Sequence, residues 1–308
     1  MVKNLGSLYL VRPLDVGGEV SCRVKGNFRI KGIRTTNPVS VGDRVRFEAA
    51  GDDHYITAVE PRRNYIIRRA SNLSKESHIL ASNLDAALLV CSISNPSTPL
   101  TFIDRFLATA EAYSVPAILD FNKEDLWNDD DREFALALRH LYTTIGYQVV
   151  FTSAKTGEGL DELRRLLKDK TTLFAGNSGV GKSSLINALV PGALLKTGEI
   201  SDLYHTGTHT TTFSEMIDLP FGGSVIDVPG VRGFGMIDFD KASVGHYFPE
   251  IFKYSQDCRF GDCSHRCEPG CAVKEALENH LISESRYNSY LSILEEVEDK
   301  DDKYRKPF

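Results

Sequence analysis

The sequence predicts three units in a row: a small OB-like β-barrel over residues 1–68, an α/β domain built on a mainly parallel sheet over 69–235, and a small cysteine-rich and helical domain over 236–308. Three observations lead there. Ser7 to Val59 breaks into short strand-like runs between glycine turns, the middle of the chain alternates apolar runs with helical spacings, and four cysteines fall within residues 258–271. A length of 308 residues suits two domains and a small third at roughly 150 residues each. A composition of 42% hydrophobic and 25% charged residues excludes disordered and fibrous classes.

In the first unit, Ser7–Val11, Glu19–Val24, Phe28–Gly32, Arg44–Ala49 and His54–Val59 are strand candidates, separated by Gly17-Gly18, Gly26-Asn27, Gly42-Asp43 and Gly51-Asp52. So many short strands in so few residues predict a small barrel. Residues 1–69 hold 13 Lys and Arg against 7 Asp and Glu, a net of +6, while the remainder holds 23 against 35, a net of −12. A basic module on an acidic remainder points to a polyanionic partner. Tyr9, Phe28, Phe47 and Tyr55 accompany Arg23, Lys25, Arg29, Lys31 and Arg34, a composition able to stack nucleic-acid bases, although each aromatic is first expected to fill the barrel core.

From residue 70 on, Ala86–Ile93, Ala117–Phe121, Gln148–Thr152, Thr171–Ala175 and Ser224–Val228 read as buried strands. Phe102–Ser114, Asp130–Ile145, Leu160–Lys168 and Lys182–Leu189 read as helices between them. The alternation predicts βαβ units, with ligands held by loops beyond the carboxyl ends of the strands. The longest good apolar run, Ala86–Ile93, is far shorter than the roughly 20 residues of a membrane helix. Met1–Leu14 lacks the apolar stretch and cleavage site of a secretion signal, so a cytoplasmic, reducing setting is expected. In the last unit Ala272–His280 and Glu284–Val297 have helical spacing, and the mixed-charge tail Glu295–Phe308 is expected to be solvated or frayed.

Gly176-Asn177-Ser178-Gly179-Val180-Gly181-Lys182-Ser183 fits G-x-x-x-x-G-K-[ST], between a strand and the helix that Ser184 continues. Its glycines let successive backbone N–H groups face phosphate oxygens at a helix N-terminus. Lys182 would meet the β- and γ-phosphates, and Ser183 would bind Mg²⁺. Asn122-Lys123-Glu124-Asp125 has the N-K-x-D form. The Asp125 carboxylate can accept from guanine N1–H and the N2 amino group, whereas adenine leaves it unpaired at a cost of about 2–4 kcal/mol. Asn122 and the Lys123 stem would brace the loop and sandwich the base. Thr152-Ser153-Ala154-Lys155 follows another strand, its N–H groups suited to guanine O6.

Asp227-Val228-Pro229-Gly230 reads as D-x-x-G, with Asp227 holding Mg²⁺ through water and the Gly230 N–H sensing the γ-phosphate. Thr206–Thr212 reads as a switch in which Thr211 or Thr212 would place a hydroxyl on Mg²⁺. Ordinary GTPases run phosphate loop, switch threonine, D-x-x-G, N-K-x-D, S-A-K; here the last two come first. The middle unit is therefore expected to be an α/β P-loop GTPase with circularly permuted motif order, its second switch leading directly into the C-terminal segment. After Gly230 stands Val231, which cannot hydrogen-bond an attacking water. Slow intrinsic turnover is expected, with His209 as a candidate catalytic group beside Lys182.

Cys258-x4-Cys263-x-His265-x5-Cys271 offers three thiolates and an imidazole, suited to a closed tetrahedral zinc, with Cys267 a fifth candidate able to displace one of them. In a reducing setting such a cluster is a structural metal site rather than a disulfide framework.

With these residues in place, the chain resembles the circularly permuted, ribosome small-subunit-dependent GTPases (RsgA/YjeQ) over nearly its whole length. The resemblance implies an assembly factor that acts late in small-subunit maturation, binds ribosomal RNA and leaves after GTP hydrolysis. It implies GTP and GDP as ligands, Mg²⁺, and one Zn²⁺ on Cys258, Cys263, His265 and Cys271, leaving Cys267 extra. Glu268-Pro269-Gly270 before the last ligand is part of the likeness, and His209 before Thr210-Thr211-Thr212 matches the family's switch pattern. A cytoplasmic monomer partnered by the small subunit is expected, with a GTP-gated RNA-binding checkpoint as the alternative role. Removing residues 1–65 is expected to leave basal turnover intact, because Asn122, the first nucleotide residue, lies well beyond the cut.

Overall fold

In the computed structural model, which describes residues 1–15, 17–24, 38–69, 77–192, 214–228 and 240–304, the chain opens with β1 (Lys3–Asn4), β2 (Tyr9–Val11), β3 (Val20–Val24), β4 (Val45–Ala50) and β5 (Asp53–Val59). Their order, β1-β2-β3-β5-β4 with a parallel β3–β5 pair among antiparallel neighbours, suits an OB-like Greek-key unit. The expected strand Phe28–Gly32 lies outside the described residues. Tyr9 is buried in the core, while Phe47 packs against it from a half-buried position with its ring 6.0 Å from that of His54. A separate hairpin that sequence periodicity does not reveal follows, β6 (Tyr65–Arg69) and β7 (Ser77–Ser82).

The alternating segment then runs β8 (Ala86–Cys91), α1 (Leu100–Ala112), β9 (Ala117–Phe121), α2 (Asp129–Ile145), β10 (Gln148–Phe151), α3 (Leu160–Leu167), β11 (Thr171–Gly176), α4 (Lys182–Leu189), β12 (Glu215–Asp218) and β13 (Ser224–Asp227). Every residue of β8 is buried, as befits a central strand covered on both faces. Ala87, Leu89 and Cys91 pack in one layer with Phe106 and Leu107 of α1 and Tyr142 of α2. Ala86, Leu88 and Val90 pack in the opposite layer with Leu163 of α3 and Leu185 of α4. The period of two along the strand thus sorts one sequence into two cores. Helix α2 is begun by a capping box, Asn128 and Asp131 bonding each other's backbone N–H, and is ended by Gly146 at φ 118°.

The sheet does not stop at the edge of this domain. Among the described residues its order is β10-β9-β8-β11-β13-β12-β1-β2-β3-β5-β4, because β1 pairs antiparallel with β12. Met216 N–H donates to Val2 O at 2.8 Å, and Lys3 and Arg12 make ion pairs with Glu215 and Asp218, each at 2.8 Å. Val39, Val41 and Ile56 belong to the same buried cluster as Leu89 and Leu119. A cut after residue 65 therefore strips β12 of a neighbour and opens a shared core. The nucleotide motifs lie beyond that cut, yet the first unit and the middle domain share a sheet and a core.

After residue 239 come a 3₁₀ segment (Lys241–Tyr247), α5 (Pro249–Ser255), α6 (Ala272–Glu278) and α7 (Glu284–Tyr304). Helix α7 continues past Val297 to Tyr304, so the described part of the tail expected to be solvated or frayed is helical. Two of its acidic side chains are engaged: Glu296 with Arg105, and Glu298 with both Arg266 and Lys241. Val244, Phe248, Ile251, Tyr290, Ile293 and Leu294 form a third core that closes on Ala108 of α1.

A buried ionic cluster seats this module. Arg286 of α7 is fully buried and donates to Asp104 of α1 at 2.9 Å and to both oxygens of Glu250 of α5 at 2.6 and 3.1 Å. The Tyr142 hydroxyl of α2 donates to the same Asp104 oxygen at 2.9 Å, and the guanidinium lies 4.6 Å from the centre of the Phe248 ring. Burial opposes the Arg286 charge, but Asp104 and Glu250 more than restore it.

Arg286→Ala should cost about 3–5 kcal/mol in urea unfolding, since it strands two buried carboxylates. Lys3→Ala, which breaks a half-exposed pair, should cost less than about 1 kcal/mol in the same assay. Equal small losses would show that the cluster does not seat the C-terminal module.

Candidate nucleotide and metal sites

Strands β8, β9, β10, β11 and β13 run parallel, so the loops that follow them leave the same edge of the sheet. The N-K-x-D residues follow β9, the S-A-K residues follow β10, the phosphate loop follows β11, and Asp227 ends β13. Asn122 joins three of these pieces. It is buried, its Nδ2 donates to Val180 O at 2.9 Å, and its Oδ1 accepts from the Ala154 N–H at 3.1 Å. The approach is close enough that a Cβ on Gly181, at φ +94°, would lie 2.3 Å from Asn122 Nδ2. Only glycine meets both conditions there.

Asp125 and Glu124 start a short 3₁₀ turn after Lys123, which itself takes a left-handed φ of 70°. Asp125 Oδ1 accepts from the Ser153 hydroxyl at 2.6 Å, and Lys155 Nζ lies 3.6 Å from its Oδ2. The carboxylate that sequence reasoning assigns to guanine is thus aimed and held by the S-A-K loop. Glu124 is engaged by Arg132 at 3.0 Å. Lys123 Nζ donates to Asn95 O, in the loop after β8. No nucleotide motif marks that loop in the sequence, where Asn95-Pro96 is a turn signal alone. The loop is knit by the Ser92 N–H donating to Thr98 Oγ1 at 3.0 Å and the Ser92 hydroxyl donating to Pro96 O at 2.5 Å, and Pro96 lies beside Gly179.

Lys182, the first residue of α4, forms an ion pair with Asp227, and both side chains are largely buried. The expected phosphate-binding cation and the expected Mg²⁺ carboxylate therefore converge on one point, with Ser183 and Ser184 half-buried behind them. Gly176, Asn177 and Ser178 complete the turn from β11, Ser178 and Gly179 being exposed at its tip. The switch residues His209, Thr211 and Thr212, together with Gly230 and Val231, lie outside the described residues.

The cysteine cluster comes together as one group: a ligand atom from each of Cys258, Cys263, His265 and Cys271 lies within 4.8 Å of all the others. Cys258 Sγ is 3.6 Å from His265 Nδ1 and 3.9 Å from Cys271 Sγ, and Cys271 Sγ is 3.5 Å from the same nitrogen. Tetrahedral zinc, with Zn–S of about 2.3 Å and Zn–N of about 2.0 Å, spaces its ligands by about 3.5–3.8 Å. The donor set fits. Cys267 is exposed and outside the group. Burial pushes the Cys263 thiol up to about 12, with Cys271 and Cys258 adding to the rise, and burial also raises Cys271 and lowers His265. A bound cation reverses that balance by stabilising thiolates.

The outer support of this cluster was not readable from spacing. Glu268 accepts from the N–H groups of Ser264, Arg266 and Cys267 and from the Ser264 hydroxyl, at 2.5–3.1 Å. Partial burial pushes its carboxyl up, but the Ser264 hydroxyl and these N–H groups win and hold it at about 2. The Tyr287 and Tyr290 hydroxyls donate to His265 O at 2.6 Å and Ser264 O at 2.9 Å, tying the ligand loop to α7.

A family model described as RsgA GTPase matches residues 59–237, and one described as RsgA N-terminal domain matches residues 1–56. A Porphyromonas gingivalis protein named small ribosomal subunit biogenesis GTPase RsgA is 61% identical over 302 residues, covering 96% of each chain. A Flavobacterium psychrophilum protein of the same name is 48% identical over 297 residues, covering 95% of this chain and 91% of its own. Among solved structures, YjeQ from Thermotoga maritima superposes with a TM-score of 0.77 at 35% identity, covering 96% of each chain. YloQ, described as a circularly permuted GTPase, gives 0.74 at 32% identity and covers 100% of this chain and 95% of its own.

Because Glu268 orders the backbone between the ligands, Glu268→Gln should weaken zinc binding about 10–100-fold in competition with a chelator. The contribution of this low-lying carboxyl is fully present above its ordinary pKa and is lost only as pH falls toward about 2. The deficit of the variant should therefore be unchanged across the neutral range. Wild-type affinity in Glu268→Gln would remove the residue from the metal site.

Proposed function

This chain belongs to the RsgA GTPase family, and on that premise we propose that it is a GTP-hydrolysing assembly factor of the small ribosomal subunit. The observation that carries the reading is the union, on one chain, of a guanine-type loop set in permuted order with a Cys₃His cluster, matched end to end by relatives named for small-subunit biogenesis. The three units are taken as residues 1–68, 69–235 and 236–308. A net charge of +6 over residues 1–69 supports ribosomal RNA as the surface that the first unit meets. No helix among the described residues is long and apolar enough to cross a membrane.

In the proposed mechanism Asp125 pairs with the guanine N1–H and N2 amino group, while the Lys155 N–H serves O6 and the Ala154 N–H holds Asn122 Oδ1. Lys123 lies along the base, braced by Asn95. The backbone from Gly176 to Lys182 cradles the phosphates, and Lys182 neutralises charge on the β- and γ-phosphates as the bond to the leaving group lengthens. Ser183, Asp227 and Thr211 or Thr212 would hold Mg²⁺, whose charge supports the same phosphates. With valine at position 231 in place of a water-orienting side chain, the chain is slow alone. His209 is assigned to the attacking water when the chain is bound to the small subunit. Cys258, Cys263, His265 and Cys271 would hold one zinc, whose role with four protein ligands would be structural.

Asp125→Asn should weaken GTP binding by at least about tenfold and improve binding of xanthosine triphosphate, whose C2 oxygen needs a donor. Unchanged GTP affinity would sink the assignment. The role itself is tested by GTP turnover alone and with small subunits, large subunits or free RNA. Stimulation confined to small subunits, and falling steeply with salt, is the expected result. Binding to small subunits that is gated by GTP while turnover stays unstimulated would favour a checkpoint instead.

A further inference from the structure

Asp120 has no part in the chemistry above, yet it is a fully buried carboxyl two residues before Asn122. It stands on β9 opposite Val90 of β8 and Val150 of β10. One oxygen, Oδ1, lies 2.7 Å from Thr152 Oγ1, and the other has no partner among the described residues. Thr152 Oγ1 in turn lies 3.3 Å from Asn122 Oδ1.

Counting protons decides how this chain is wired. Thr152 has a single hydroxyl proton and two oxygen neighbours. If Asp120 is a carboxylate, that proton goes to it, and Thr152 Oγ1 faces Asn122 Oδ1 with no hydrogen between them. If Asp120 is a neutral acid, its O–H donates to Thr152, and the Thr152 proton is free to reach Asn122 Oδ1. The second wiring runs unbroken from Asp120 through Thr152 and Asn122 to the Val180 carbonyl in the phosphate loop. It also leaves a neutral carbonyl oxygen unpaired in an apolar layer, rather than part of a full charge. Burial pushes the Asp120 carboxyl up to about 7, against the pull of the Thr152 hydroxyl. Cys91 of β8 is a titratable neighbour that interacts with it, and burial keeps that thiol protonated.

We infer that Asp120 is a positioning residue for guanine-nucleotide binding: as a neutral acid it donates to Thr152 and through it orients Asn122 toward the phosphate loop. The inference rests on the reading of Asn122 as part of the nucleotide site. Loss of the Asp120 proton turns the Thr152 hydroxyl away from Asn122, so nucleotide release quickens as pH rises through neutrality.

The test is the dissociation rate of a fluorescent GDP analogue with Mg²⁺ from the full-length protein, from about pH 5.5 to about pH 8.5. In the wild type the rate should rise about three- to tenfold across neutrality, the factor that one ordinary hydrogen bond represents. Asp120→Asn, whose amide donates at every pH, should hold the slow rate throughout. Titration of the nucleotide's own phosphate is common to both proteins and cancels. Thr152→Val should release at the fast rate throughout. In the wild type alone, the infrared carbonyl band of a buried protonated carboxyl should persist to about pH 7, and its loss by about pH 5 would overturn the proposal without any variant. Identical pH profiles for wild type and Asp120→Asn would also overturn it while Asn122→Ala still weakens binding. If Asn122→Ala binds GDP normally, the reading of the site itself fails.

Discussion

The parallel pairing of β8 with β11 is the constraint on which the rest of the molecule depends. Five register positions, from Thr172↔Ala86 to Gly176↔Val90, join a half that carries the base-recognition loops to a half that carries the phosphate loop. The chain passes from the S-A-K loop to the phosphate loop through α3, and the β8–β11 ladder fixes how the two halves lie side by side. Asp85 pins the start of the pair: its backbone N–H donates to Thr171 O at 2.9 Å, and its side chain accepts from the Thr171 N–H at 2.8 Å. Arg63 bonds the other Asp85 oxygen at 2.7 Å, so the same residue also anchors the connection between β5 and β6. A slip of one residue would invert every side chain of β8 and exchange the contents of the two cores.

Above that sheet the site is assembled by few polar groups, each used more than once. The Asn122 amide serves both the phosphate loop and the S-A-K loop, and Ser153 both aims Asp125 and accepts from the Thr156 N–H. Shared groups make the loops interdependent, which is why glycine is required where Asn122 passes Gly181. The Arg286 cluster works similarly at the far side of the domain. Its charges gain little over an apolar core, yet they admit one seating of α5 and α7 on α1 and α2, because any other leaves a buried charge unpaired.

The three units are consequently linked mechanically. Strand β12 emerges from the segment that contains the switch threonines, pairs on one side with β13, which ends at Asp227, and on the other with β1 of the basic unit. The metal module reaches the same domain through α7, which meets α1 by Arg286 and Arg105 and meets the ligand loop by Tyr287 and Tyr290. Among the described residues, the nucleotide loops and both flanking units thus share the same sheet and helices.

The sequence by itself determined the chemistry. The phosphate loop, N-K-x-D, S-A-K, D-x-x-G and cysteine spacings are local patterns whose function depends on residue type at short range, and helix α4 begins and ends where the sequence placed it. The strand runs were equally plain where burial on both faces made them continuously apolar, as in β8. Short elements escaped: β1 and β12 are two and four residues long, α5 begins at a proline after an unremarkable run, and β6–β7 carries a register shift. What only the tertiary structure decided is who meets whom. The β1–β12 pair spans more than two hundred residues, Arg286 meets Asp104 across 182, and Glu268 collects N–H groups beside the cysteine cluster instead of joining it. Such contacts are set by backbone hydrogen bonds and desolvated charges, whose partners are chosen by three-dimensional proximity and leave no period or spacing in the chain.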